Sequence, residues 1–344
     1  MTPLYGHGQA VAAFRTALDS DQLHHGWLIT GPHGVGKGTF ARAAALRTLA
    51  QAAGPAPTAS GFGVDPDHPT ARLFASESHP DYRLLEREVW AGKAPNEYIV
   101  PKPERSGTED LARSIRIKQA RMLLPFLMVR PSMSDRRAIV IDAADDLEPQ
   151  AANALLKMLE EPPKGTVFLL VSHAPERLLP TIRSRCRLLR LTSLGNDAMT
   201  SALRAALPDA DEEEIASLAS VGEGAPGRAI AFRGLDIAAL DEAMETLVRD
   251  GDPTNARRAA LAQSLALKSA QPRYEAFLAR APSLIAATAK QRRGPALAEA
   301  LGLWERATAL AGGARRLSLD PQSTVFELAG LVAALAPASA SRAA

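Results

Sequence analysis

The stretch Gly31-Pro32-His33-Gly34-Val35-Gly36-Lys37-Gly38-Thr39 restricts the folds open to this chain more than any other. It follows the apolar run Trp27-Leu28-Ile29-Thr30 and opens a segment with a helical pattern. Strand, glycine turn and helix in that order make a phosphate loop. Glycines let the backbone curl so that its N–H groups converge on phosphate oxygens, and the helix start adds its positive dipole end. Gly31, Gly34, Gly36, Lys37, Gly38 and Thr39 are therefore candidate nucleotide-binding residues, with Lys37 reaching the outer phosphates. The pattern departs at one place. The hydroxyl residue that holds magnesium should follow the lysine directly, but Gly38 stands there and Thr39 comes one position later. This puts magnesium ligation in doubt. A glycine-rich turn with no ligand, or a loop kept as fold that binds nucleotide weakly, would have the same residues.

Three further runs read as strands: Tyr82-Arg83-Leu84-Leu85, Ala138-Ile139-Val140-Ile141-Asp142 and Thr166 to Ser172. Each is bounded by Gly, Pro or charge, with helical patterns between them, which predicts an α/β layer with a parallel sheet. The segment Gln51 to Pro80, rich in Ala, Pro, Gly and Ser, reads as a loop or loosely ordered insertion. Beyond Leu191 the strand signals vanish. Short helices are expected over Asp197–Leu207 and Glu212–Val221, where acidic residues favour the helix start. From about Asp236 the pattern is helical, with breaks at Gly251-Asp252-Pro253, Ala281-Pro282 and Gly294-Pro295. The expected organisation is an α/β P-loop domain (1–192), a helical lid (193–240), an all-α domain (241–336) and a low-complexity tail (337–344).

Composition sharpens this reading. Forty Lys+Arg against 38 Asp+Glu leave a net charge of +2 over 344 residues, which argues against coating nucleic acid through bulk charge. The single cysteine, Cys186, can form neither an internal disulfide nor a Cys-rich zinc site. The mostly apolar run Val325 to Ala336 carries Glu327 and is too short to span a bilayer. The N-terminus lacks the basic start and apolar stretch of a signal peptide. A cytoplasmic protein without a membrane partner is expected.

The run ending at Asp142 puts an acid where P-loop enzymes orient magnesium through water. The next residue is Ala143, where working ATPases carry a glutamate that polarises the attacking water. A methyl group cannot do this, so little intrinsic ATP hydrolysis is expected. Two segments then follow in a distinctive order. The first is the amphipathic stretch Ala151-Ala152-Asn153-Ala154-Leu155-Leu156-Lys157-Met158-Leu159-Glu160-Glu161-Pro162-Pro163. The second is Leu179-Pro180-Thr181-Ile182-Arg183-Ser184-Arg185-Cys186.

Together these resemble the clamp-loader branch of the AAA+ ATPases, over Leu4 to about Arg228, and most specifically between Ile139 and Cys186. Ala143, the displaced Thr39 and the lack of cysteines between Gln51 and Pro80 separate the chain from the zinc-bearing motor type, gamma/tau. They make it similar to the delta-prime family of subunits in a version without zinc. The resemblance implies that Arg185 acts in trans as an arginine finger on ATP held by a neighbouring subunit. It implies weak or vestigial ATP/ADP and magnesium binding by the chain itself. The partners it implies are delta and gamma/tau in a hetero-oligomeric ring, the beta sliding clamp, and primer-template DNA within the complex. The 241–336 helices would form the collar. In Gly224-Ala225-Pro226-Gly227-Arg228, Arg228 loosely matches a lid arginine that contacts nucleotide, and an exposed arginine on a glycine-initiated helix fits equally well. Arg113, Arg116, Lys118 and Arg121 read as a solvated helix face or a DNA lining. The competing readings are an active gamma/tau-type motor ATPase and, on the Gly-Lys-Gly-Thr form of the loop, a P-loop nucleotide kinase.

Overall fold

The computed structural model describes residues 3–54, 59–88, 112, 114–317 and 319–337. The chain divides into two compact units, 1–229 and 230–344. In the first unit the elements run in the order α1 (Gly8–Asp19), β1 (Gly26–Thr30), α2 (Lys37–Ala53), α3 (Pro69–Ala75), β2 (Tyr82–Glu86), α4 (Ile117–Arg121) and α5 (Leu123–Met128). Next come β3 (Arg137–Asp142), α6 (Pro149–Glu160), β4 (Thr166–Val171), α7 (Pro180–Arg183) and β5 (Arg187–Arg190). The helices α8 (Asn196–Ala206), α9 (Glu212–Gly222) and α10 (Pro226–Ala231) follow.

The strands form one parallel sheet in the order β2-β3-β4-β1-β5. Residues of β1, β3 and β4 are buried throughout, apart from the half-buried Asp142 at the end of β3. Helices cover both faces, as expected of continuous apolar runs in a parallel sheet. One face packs Phe14, Trp27, Phe40 and Phe62 beneath α1 and α2, and the other packs Phe126, Leu155, Leu159, Phe168 and Ile182. The fold class is the P-loop α/β class that the sequence leads one to expect.

The sequence gives no sign of β5. Its Arg187, Leu188 and Arg190 are exposed, yet the backbone pairs in register with β1, Trp27 opposite Arg187 and Thr30 opposite Arg190. In the expected insertion from Gln51 to Pro80, of which 55–58 lie outside the described residues, the described part carries regular structure. Helix α2 continues to Ala53, α3 follows, and Phe62 and Phe74 are both buried. Arg47, itself buried, donates to the carbonyls of Ala59 (3.1 Å) and Gly63 (2.9 Å) and so gathers this loop onto α2.

A second buried charge network holds residues 122–133. Arg137 donates to the carbonyls of Phe126 and Val129, and its guanidinium lies 5.2 Å from the Phe126 ring centroid. The buried Asp81 accepts from the N–H groups of Ser132 (2.7 Å) and Met133 (2.8 Å). Met122, Leu124, Met128, Val129 and Met133 are exposed along this held segment.

The second unit is helical: α11 (Ile237–Asp250), α12 (Ala256–Leu265), α13 (Gln271–Lys290), α14 (Pro295–Leu317) and α15 (Pro321–Ala333). The breaks at Gly251 and Gly294 fall between helices, but the one at Ala281-Pro282 does not, because α13 runs through Pro282. An interior proline costs a helix about 3 kcal/mol. Burial of Phe277, Leu278, Ala281 and Ile285 on one face of α13 offsets it. Arg280 on α13 grips Asp241 on α11 with two bonds of 2.5 Å. No helix among the described residues is long and apolar enough to cross a membrane.

Candidate functional site

The phosphate loop joins β1 to α2. Gly31, Gly34 and Gly36 adopt φ values of +144°, +79° and +103°, a region that side chains resist. At Gly34 the constraint is also spatial. A Cβ there would lie 2.5 Å from the Arg228 nitrogen, and the Gly34 carbonyl accepts from the Gly227 N–H at 2.8 Å. The start of α10 therefore rests directly on the loop. His7 reaches it from the other side, with Nε2 3.0 Å from the Val35 carbonyl oxygen.

Lys37 is buried and its ammonium donates to two carbonyls of its own loop, Gly31 (2.7 Å) and Pro32 (2.8 Å). Burial pushes it down to about 8, against the pull of Asp145 and Asp142. An unfolded lysine stays protonated to about 10.5, so between these values the unfolded chain binds more protons and stability rises with pH. Relative to Lys37→Met, the wild-type chain is expected to gain up to ~3 kcal/mol across that window and nothing below it. Urea unfolding at stepped pH checks this; a difference that stays constant from neutral pH upward contradicts it.

Asp142 lies against the position where the motif departs from its usual form. A Cβ on Gly38 would stand 2.3 Å from Asp142 Oδ2 and 3.1 Å from Arg42 Nη2, and Asp142 pairs with Arg42 at 3.6 Å. The carboxylate thus fills the space of the missing side chain, and Thr39 sits half-buried one position along α2. The first turn of α2 directs backbone N–H groups at the loop, which suits a phosphate. The magnesium set does not fit: Gly38 brings no hydroxyl, and Asp142 is turned to an arginine. Asp145 supplies no substitute, since it accepts from Ser172 Oγ (2.6 Å) and from the N–H groups of His173 and Ala174, tying the end of β4 to the turn after β3. Asp146 pairs with Arg87 at 3.1 Å.

Arg228 is mostly buried and held by Glu223 at 2.6 Å, at the helix start that touches Gly34. The structure thus brings Gly31 to Thr39, Asp142 and Arg228 together around one loop. Arg185 stands elsewhere. Its carbonyl oxygen and Cys186 Sγ lie 3.0 and 3.2 Å from where a Gly26 Cβ would be, at the start of β1. The phosphate loop leaves the other end of that strand, roughly 16 Å away at about 3.3 Å per residue. Arg185 donates Nη1 to the Thr181 carbonyl (2.9 Å) and pairs Nη2 with Glu160 (2.9 Å). Burial pushes the Cys186 thiol up to about 12, so it packs as an apolar group rather than reacting. Of the basic residues before β3, Lys118 and Arg121 lie on α4, Arg116 precedes it, and Arg113 lies outside the described residues. Among the described residues, no group of three or more His, Cys, Asp or Glu could hold a metal ion.

Sequence reading missed Glu160, Arg42 and the Asp145–Ser172 pair as parts of these sites. The Glu-Glu-Pro-Pro end of α6 was the available signal for Glu160.

The family model described as DNA polymerase III, delta subunit, matches residues 6–195, more than half of the chain. The chain is 34% identical to DNA polymerase III subunit delta' of Pseudomonas aeruginosa over 205 residues, 60% of this chain and 54% of that relative. It is 36% identical to the Escherichia coli K12 protein of the same name over 164 residues, 47% of this chain and 42% of that one. It is 32% identical to DNA polymerase III subunit gamma/tau of Mycobacterium bovis over 180 residues, 52% of this chain and 26% of that protein. The chain thus matches about half the length, or less, of these curated relatives.

Proposed function

Because the chain belongs to the family described as DNA polymerase III, delta subunit, we propose that it is the delta-prime-type subunit of a bacterial clamp loader. It assembles with delta and gamma/tau in the cytoplasm. The assembly uses ATP to place the beta sliding clamp on primer-template DNA. In this reading, residues 1–192 are the P-loop domain, 193–240 the lid and 241–336 the collar that joins the ring.

One observation carries the proposal: Arg185 lies a strand's length from the chain's own phosphate loop and is held at the surface by Glu160 and Thr181. A guanidinium so placed is of use to a nucleotide in a neighbouring subunit. Its planar, permanently charged group suits a γ-phosphate whose charge spreads in the transition state. ATP with magnesium, bound by that neighbour, supplies the phosphoryl chemistry. In the chain's own loop, Lys37 rests on loop carbonyls, and Ala143 stands where water would have to be oriented. Any ATP or ADP held there, on the amides from Gly34 to Thr39 beside Arg228, is kept rather than turned over.

Reconstitution with gamma/tau and delta tests this. DNA- and clamp-stimulated ATP hydrolysis is expected to require the chain, while the chain alone hydrolyses almost nothing. Turnover by the isolated chain that Lys37→Ala abolishes would overturn the reading in favour of a motor subunit. Phosphate transfer to a nucleoside monophosphate would overturn it in favour of a kinase.

A further inference from the structure

We propose that Glu160 is the positioning residue for Arg185, fixing the direction in which its guanidinium leaves the surface; the proposal rests on Arg185 acting on a neighbour's nucleotide. Glu160 occupies the last turn of α6, the negative end of the helix dipole, where a carboxylate weakens the helix. Glu161 follows it, and Lys157 in the same turn offsets only part of this charge. A residue that breaks a local rule for so little local gain points to a role beyond the helix.

What Glu160 gains is a contact with Arg185 across 25 positions of sequence, Oε1 to Nη2 at 2.9 Å. The Thr181 carbonyl takes Nη1 at 2.9 Å. An arginine side chain at the surface carries large rotamer freedom, and two acceptors on different elements remove most of it. The guanidinium has five donors in a fixed plane, so N–H groups remain for a phosphate oxygen after both anchors are made. Side chains of both residues are partly open, 35% for Arg185 and 43% for Glu160, so the pair stands where a neighbouring subunit can reach it. Such preorganisation acts on the chemical step, because a displacement of about 1 Å can cost on the order of 10²-fold in rate.

The test uses the reconstituted assembly with gamma/tau, delta, clamp and primed DNA at saturation. Glu160→Ala is expected to lower kcat for ATP by about tenfold or more with KM unchanged. Glu160→Gln, whose amide oxygen still accepts from Nη2, is expected to restore it to within about twofold. The double variant Glu160→Ala/Arg185→Ala is expected to be no slower than Arg185→Ala alone, as residues acting through one group should be. The thermal stability of Glu160→Ala is expected to be unchanged or raised, which separates the effect from unfolding. A wild-type kcat in Glu160→Ala, a loss that Gln does not rescue, or a double variant slower than Arg185→Ala overturns the role of Glu160. A wild-type rate in Arg185→Ala instead overturns the finger reading, and this proposal with it.

Discussion

Arg185→Ala is expected to slow DNA- and clamp-stimulated ATP hydrolysis by the assembled complex about 10³-fold or more at the neighbouring site, while the isolated chain folds as before. The magnitude is that of an arginine finger, ~10³–10⁵ in kcat. Folding is expected to survive because both contacts of Arg185 are made at the surface, where an ion pair contributes about 0–1 kcal/mol. Arg185→Lys is expected to recover only a small part of the rate. A compact ammonium cannot hold Glu160 and the Thr181 carbonyl and still face a phosphate. Single-turnover hydrolysis by the complex, beside circular dichroism of the free chain, gives both readouts. A complex that turns over normally with Ala at this position would remove the finger from the mechanism.

Arg137→Ala is expected to cost about 2–4 kcal/mol of stability, the scale of leaving a buried carbonyl without its donor and losing the packing of a buried side chain. The residue is 2% exposed, and its loss would leave the buried Phe126 carbonyl without its donor, at roughly 1–3 kcal/mol, while water can reach the exposed Val129. It would also remove one of two guanidinium contacts of the Phe126 ring, the other being Arg83 at 4.4 Å. Arg137→Lys is expected to rescue little, because one ammonium cannot bridge both carbonyls in the plane of a guanidinium. With the bridge gone, the segment from Met122 to Met133 would keep only its bonds to Asp81 and the packing of Leu123, Phe126 and Leu127, and it is expected to be cut first in limited proteolysis. A urea-unfolding difference below about 1 kcal/mol would mean that water replaces the guanidinium at both carbonyls.

The sequence made β1, β3 and β4 legible because helices cover both faces of the sheet, so each strand reads as an uninterrupted apolar run. It hid β5 because that strand lies at an edge and turns Arg187, Leu188 and Arg190 to solvent. Only the pairing with β1 makes it a strand. Phe62 and Phe74 gave no periodic signal in their Ala- and Pro-rich surroundings. Their order comes from distant partners: Phe62 meets Phe14 edge-on at 5.5 Å and Phe40 at 5.0 Å, and Arg47 closes the loop beneath them. Pro282 misled for the converse reason, since packing of α13 outweighed a local penalty. At the site, the loop glycines, Lys37 and Asp142 announced themselves by spacing. The contacts of Arg42 with Asp142 and of Glu160 with Arg185 join residues 100 and 25 positions apart, and no local pattern records them.

The fit between Gly38 and Asp142 bears on how such a loop can change over generations. Restoring the ordinary hydroxyl residue at position 38 would press a Cβ to within 2.3 Å of the Asp142 carboxylate, which would have to swing out of its pair with Arg42. The carboxylate is the tip of a flexible, partly exposed side chain, so it can move aside, and the pair it gives up is worth about 0–1 kcal/mol. Replacing a glycine within a helix returns roughly 0.5–1 kcal/mol. A side chain at 38 is therefore expected to leave stability nearly unchanged while releasing Asp142 from Arg42, so that one substitution would supply the hydroxyl and free the carboxylate together.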